Sequence, residues 1–286
     1  MKGFDFGDRQ KPTGGNHSQP ERFGKLATDL FLEILGVKRV EWRSWGRHTW
    51  IDKAWFERRG KEYMVDDKYE DEIPGYIIAH DVEKNGRPIS WVFAGKTRTR
   101  DGSNITKSSL SRRIPRSANY QLLQKGVVYP YFFMTLPATL RNKLADAAKQ
   151  AHNEAIQQIS EFKAAGQRIP DDLPNIWIYD GSTTGMSVSS LSKLTEDYEL
   201  FPYLFRRILK HWHAQNMNEF WEMCRQDKPY SSDDNHRVSL KGFYDTANPY
   251  IFVISTRDFV RLDELLDISR NRLKMKVNPY DIVFLS

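Results

Sequence analysis

The first clear period in the chain is helical. Phe23, Leu26, Ala27, Leu30, Phe31 and Ile34 recur at the three-and-four spacing of one apolar face. Ser18 and Glu21 stand at capping-box spacing, Pro20 suits a first helical turn, and Gly36 is a natural stop. The period then changes to that of extended chain. Residues 37–43, 47–56 and 61–69 are rich in β-branched and aromatic side chains, and the last two are joined through Gly60. A second hairpin is predicted from 75–81 and 89–96, linked through Asn85-Gly86. Residues 96–116 have little period and read as a loop. A short helix over 117–126 closes at Gly126 and feeds an apolar strand, VVYPYFFMTL.

The second half alternates less regularly. Leu140, Leu144, Ala148, Ala151, Ala155, Ile159 and Phe162 form one stripe of a long helix that stops at Gly166. Strands are expected at 175–180, 249–255 and 280–286. Helices are expected at 201–224, with Phe205, Ile208, Leu209, Trp212, Phe220 and Trp221 inward, and at 257–274. Residues 1–19 are a polar lead-in without a hydrophobic period. No internal repeat or clean linker is evident, so the expectation is a single α/β body: a core at 20–136 and a helix-rich elaboration at 137–286 that serves recognition or dimerisation.

Composition narrows the class. The 286 residues are 40% apolar, 28% charged and 13% aromatic, with eight Trp, which is the profile of a globular chain with ample core. The longest apolar run falls short of the roughly 18 residues that span a bilayer, and residues 1–20 lack the apolar stretch of a secretory signal. Cys224 is the only cysteine, so an internal disulfide is excluded and a reducing, cytoplasmic setting is expected. The net charge is +6, and its distribution is uneven. Residues 96–116 hold Lys96, Arg98, Arg100, Lys107, Arg112, Arg113 and Arg116 against Asp101 alone. Such a cluster is either a solvated surface or a footprint on a phosphate backbone, where released counterions supply affinity.

Candidate chemistry lies in WIDKAWFERRGKEYMVDDKYE. Asp66 and Lys68 alternate onto one face of their strand, and a turn near Arg59 sets Asp52 opposite or diagonal to Asp66. Two carboxylates in one patch raise each other's pKa unless a cation offsets them. Mg²⁺, with Mn²⁺ as a substitute, is the hard cation that takes one or two carboxylates together with waters and phosphate oxygens. Asp52 and Asp66 are then metal ligands and Lys68 assists at the phosphorus, a set suited to phosphodiester hydrolysis. Asp67 falls on the opposite face from Lys68. Glu21 is explained by capping, and Gln121 and Gln124 by solvent exposure.

The order helix, three-stranded meander, helix, strand over residues 20–135, with Asp52, Asp66 and Lys68 at the motif positions, resembles the PD-(D/E)xK superfamily of restriction-endonuclease-like nucleases. Ile51 stands where the motif has proline, Asp66 where Glu is commoner, and the 75–96 hairpin is an insertion. The resemblance implies a restriction-endonuclease-like α/β core and Mg²⁺-dependent cleavage of DNA. Lys96, Arg98, Arg100, Arg112 and Arg113 are the candidate DNA contacts, and a homodimer is expected because cutting both strands takes two active sites. The rival from another class is a non-catalytic DNA- or RNA-binding protein on the same fold.

Three further signals are weaker. YDGSTTG (179–185) has the composition of a backbone nest for an anion but lacks the P-loop lysine, and an ordinary Gly/Ser/Thr turn is the better reading. His211 and His213 lie two apart, which on a helix points them away from each other. Arg206, Arg207 and Lys210 either extend a nucleic-acid surface or line a solvated helix face. No G-x-S-x-G nucleophile elbow is present.

Overall fold

The computed structural model describes residues 21–45, 48–58, 60–66, 74–82, 88–187, 198–205, 230–231, 237–238, 250–269 and 272–285. The chain divides into two compact units, Lys25–Leu122 and a discontinuous one made of Met1–Gly24 with Leu123–Ser286. Neither division coincides with the expected boundary at 136. The divisions fall inside two helices, whose continuous backbone pattern gives no sign of a linker.

The unit Lys25–Leu122 follows the expected order. Helix α1 (Glu21–Ile34) leads into an antiparallel meander of β1 (Val37–Trp45), β2 (His48–Arg58) and β3 (Lys61–Asp66). The hairpin of β4 (Gly75–Val82) and β5 (Pro88–Ala94) forms a separate two-stranded sheet. Its inner rings, Trp91 and Phe93, are buried, and Phe93 stacks on Tyr76. The predicted loop at 96–116 is a loop only in its first half. From Lys107 it becomes helix α2 (Lys107–Arg113) and then a 3₁₀ turn over Ile114–Arg116. Thr106 caps α2 by accepting from the Ser109 amide at 3.2 Å. Leu110 and Ile114 supply buried anchors four residues apart, too few to register as a period. Helix α3 (Ala118–Gln124) begins after Ser117, and Asn119 clamps it to β5 by accepting from Val92 N at 3.0 Å and donating to Ser90 O at 3.3 Å.

The other unit is built on helix α4 (Ala138–Ala164), where Leu140, Leu144, Ala147, Ala148, Ala151 and Ala155 are buried. The predicted apolar strand after α3 shrinks to β6 (Phe132–Phe133), because Pro130 and the turn at 134–137 leave little room for a ladder. The predicted strand at 175–180 is instead a 3₁₀ turn, Ile176–Ile178, capped by the Asn175 side chain, which accepts from Trp177 N. It leads to the four-residue helix α5 (Gly181–Thr184) and the short strand β7 (Met186–Ser187). Four helical residues at 202–205 agree with the start of the predicted helix at 201–224; Ile208, Leu209, Trp212, Phe220 and Trp221 lie outside the described residues.

Further strands are β8 (Tyr230–Ser231), β9 (Arg237–Val238), β10 (Tyr250–Val253), β11 (Asp258–Arg261), β12 (Leu266–Ser269), β13 (Arg272–Met275) and β14 (Ile282–Phe284). The helix predicted at 257–274 is therefore β11, a 3₁₀ turn, β12 and β13. Arg257 takes a left-handed φ of 61°, which turns the chain back onto β10. Cross-strand partners then satisfy a backbone that the side-chain pattern alone would have allowed to coil. Among the described residues the region 137–286 is mixed: the long helix α4 stands beside several short antiparallel strands. Sheet order is β11-β10-β14-β6, with β6 parallel to β14; the meander β1-β2-β3 is a sheet of its own, so the last strand of the expected nuclease-like core does not extend it.

The turn at Gly126, just after α3, packs against the 3₁₀ segment, which Asn175 ties to α4. Gly126 has φ +68°, and an added Cβ would stand 2.5 Å from Asn175 Oδ1. Asn175 has no freedom to yield: its amide nitrogen donates to Ala151 O at 2.9 Å, its oxygen accepts from Trp177 N at 3.1 Å, and Ile176 N donates to Gly126 O at 2.7 Å. Gly126→Ala is expected to destabilise this unit by about 3 kcal/mol through strained backbone and overpacking, measured as a lower urea midpoint.

Candidate functional site

The meander carries the sequence's acidic candidates, and one irregularity decides where they stand. Along β1 and β2 the register runs Arg39↔Trp55, Val40↔Ala54, Glu41↔Lys53 and then Trp42↔Ile51, Arg43↔Trp50 and Trp45↔His48. Asp52 has no partner: it is the extra residue of a β-bulge. Arg39, Glu41, Arg43 and Trp45 alternate onto one face of β1, so their partners Trp55, Lys53, Trp50 and His48 hold the same face of β2. Asp52 joins them, since its Oδ1 lies 3.3 Å from Arg43 Nη1. Across the other edge of β2, Lys53 pairs with Asp66. Asp52 and Asp66 are thus diagonal neighbours at positions of one face, which strict alternation without the bulge would have set on opposite faces. Asp67, Lys68 and the side chains of Asp66 and Glu21 lie outside the described residues.

Two ion pairs form on this face. Arg43 offsets Asp52, and Lys53 Nζ reaches Glu41 Oε2 at 2.8 Å. Carboxylate oxygens are the donors Mg²⁺ prefers, but a cation bound by Asp52 would displace Arg43. Among the described residues no three His, Cys, Asp or Glu side chains gather as a ready metal site. Among the described side chains Asp52 and Glu41 are the carboxylates of this face, and each already has a cationic partner.

The basic segment is different. Of its seven cations, six are exposed and Arg113 is half-buried. Among the described residues none of the seven has a carboxylate at ion-pair distance. Arg113 Nη2 donates to Thr99 Oγ1 at 3.2 Å, which ties the loop half of the segment to α2. Lys107 opens α2 with no acidic residue in the first turn, an arrangement that works against the helix dipole. Folding alone gives no reason for that placement. Gln121 donates to Arg116 O at 3.1 Å, so it serves the local turn.

The loop at 179–185 spends its own donors. Asp180 caps α5: its carboxylate accepts from Ser182 N at 3.0 Å, Thr183 N at 3.1 Å, the Thr183 hydroxyl and the Tyr129 hydroxyl at 2.7 Å. Gly181 N donates to Glu199 O and Gly185 N to Gly181 O. A Cβ on Gly181 would meet Tyr198 at 2.8 Å, so the turn is packed shut. The amides that an anion would need are taken by a buried carboxylate, so the segment 179–185 is the ordinary turn rather than an anion nest. Sequence reading missed the buried polar centre itself. Burial pushes the Asp180 carboxyl up despite its four hydrogen bonds, and pushes the Tyr129 hydroxyl well up, with Asp180 adding to it. The usable signal was Asp180 two and three residues before Ser182 and Thr183, the pattern of an Asx N-cap.

His152 of α4 stacks on Trp177 at 4.8 Å, and its Nδ1 lies 3.2 Å from the Tyr280 hydroxyl. Cys224, Arg206, Arg207, Lys210, His211 and His213 lie outside the described residues. Among the described residues no helix is long and apolar enough to cross a membrane. No protein-family model, curated protein or solved structure matches the chain. The nuclease resemblance therefore rests on the residues and their order alone.

Burial holds the His152 imidazole below its ordinary value, against a smaller opposing pull from Asp180. The unfolded chain then takes up a proton that the folded one resists, so the stability it contributes is present above about pH 6.5 and is lost as pH falls below it. Asp180, raised on folding, acts in the opposite sense. The urea midpoint is expected to drop between about pH 7.5 and 5.5, and to drop less in His152→Phe, which keeps the ring on Trp177 but cannot titrate.

Proposed function

We propose that the protein acts on nucleic acid and that residues 96–116 hold its phosphate backbone. The observation that carries this reading is the run of seven cations that no described carboxylate neutralises, held on a scaffold anchored by Leu110 and Ile114. Paired surface charges gain little from a polyanion because one partner is repelled; unpaired ones replace condensed counterions and gain their release. If three of these cations contact phosphate, Arg98→Ala/Arg100→Ala/Arg112→Ala lowers the slope of log affinity against log salt by roughly 2 to 3, with an unchanged circular dichroism spectrum. An unchanged slope removes this segment from the interface.

A second reading, Mg²⁺-dependent endonucleolytic cleavage of DNA, is favoured by the bulge that brings Asp52 to the face of Asp66. In it Asp52 and Asp66 hold the metal and Lys68 assists. The bound ion would acidify a water and polarise the phosphodiester. Arg43, displaced from Asp52, would be free to pair with a substrate phosphate, and cutting both strands would call for two copies of the chain. Wild-type protein should nick or linearise supercoiled DNA with Mg²⁺ or Mn²⁺, Asp66→Ala should lose at least 100-fold in rate (about 3 kcal/mol of barrier) while keeping its DNA affinity, and chelator should abolish cleavage. Equal cleavage by both proteins, or by neither with either ion, leaves only the binding function.

A further inference from the structure

The same face of the meander carries something that neither phosphate contact nor metal binding uses. Trp45 is 80% exposed and Trp50 41% exposed, in a protein with ample core to bury them. The register places both rings on the face of Trp55 and Asp52. Over Trp55 the Arg39 guanidinium sits 3.8 Å from the ring centroid. From the tip of the β1-β2 ribbon inward, that face reads Trp45, Trp50 beside Arg43, the bulge at Asp52, then Trp55 under Arg39. Without the extra residue at Asp52, Trp50 and Trp55 would point to opposite sides, since they are an odd number of positions apart.

We propose that this face is a stacking platform for single-stranded nucleic acid. The proposal rests on the nucleic-acid reading above and names its substrate class. Two features select this occupant. The rings are not a continuous apolar patch of the kind a protein partner covers. Between them lie satisfied polar pairs, Arg43 with Asp52 and Lys53 with Glu41, so each ring is a discrete site. Successive same-face positions on a strand are about 6.6 Å apart, wider than the stacking distance in a duplex, which suits bases splayed out singly. The second feature is division of labour within the unit Lys25–Leu122. On the ribbon face Arg43 and Lys53 are paired with carboxylates and Arg39 lies over Trp55, whereas among the described residues no carboxylate lies at ion-pair distance from the seven cations of residues 96–116 in the same unit. A duplex buries its base faces and has no use for the indoles; a single strand uses both surfaces. A strand laid along this face would cross Asp52.

The test is a titration of the full chain with an oligothymidylate and with a duplex of equal length at fixed salt, followed by tryptophan fluorescence and anisotropy. The single strand is expected to bind at least ten-fold more tightly than the duplex and to quench the fluorescence. Trp45→Ala/Trp50→Ala should lose ten-fold or more for the single strand with an unchanged salt slope, and Trp50→Phe should retain most of the affinity. Both rings are exposed, so the variants should keep the wild-type urea midpoint. Equal affinity for both nucleic acids, or a single-strand affinity indifferent to the two substitutions, overturns the platform while leaving the nucleic-acid reading intact. Failure of the wild type to bind either one overturns both. Self-association that disappears in Trp45→Ala/Trp50→Ala, with oligonucleotide affinity unchanged, reassigns the face to contact between copies of this chain.

Discussion

A single unpaired residue in β2 sets the chemistry of the face around it. A strand alternates its side chains with period two, so the set of residues sharing a face follows from register alone. Inserting Asp52 opposite no residue of β1 shifts every position beyond it by one. Trp50 and Trp55 meet on one side because of it, and Asp52 reaches the side that also holds Lys53 and the register position of Asp66. The ion pair from Arg43 to Asp52 holds the bulged carboxylate on that face. Removing the bulge would leave the composition intact and scatter the arrangement.

Electrostatics in the unit Lys25–Leu122 follows a simple partition. On the ribbon, Arg43 and Lys53 pair across the strands with Asp52 and Glu41, and Arg39 is held over Trp55. On residues 96–116 Asp101 is the one acid, and among the described residues no carboxylate pairs with the seven cations, Lys107 standing even against the dipole of its own helix. The first arrangement costs nothing in folding. The second carries mutual repulsion that an anionic partner would relieve.

The discontinuous unit uses its polar groups inwardly. Asp180 and Asn175 are both buried, and each ends a chain reversal by accepting from the amides that follow it. Asn175 also ties the 3₁₀ turn to α4, and Asp180 ties α5 to Tyr129. A segment whose composition resembles an anion-binding loop is therefore a structural clasp. The difference lies in one acidic side chain that occupies, from within the chain, the place a phosphate would take.

What the sequence determined by itself were the elements whose side chains declare a period or a cap: α1, the meander, the β4-β5 hairpin, α4 and the cation cluster. These depend on neighbours a few residues away, and local pattern reports them. Tertiary structure decided the rest. Whether 257–274 coils or pairs, whether 175–180 extends or turns, and which sheet receives Phe132–Phe133 all depend on hydrogen-bond partners distant in sequence, and an apolar run has the same composition in each case. The face of Asp52 belongs to this second group. Alternation read from the residues is a rule about regular ladders, and a bulge is recorded only in which residue of the opposite strand each backbone group meets.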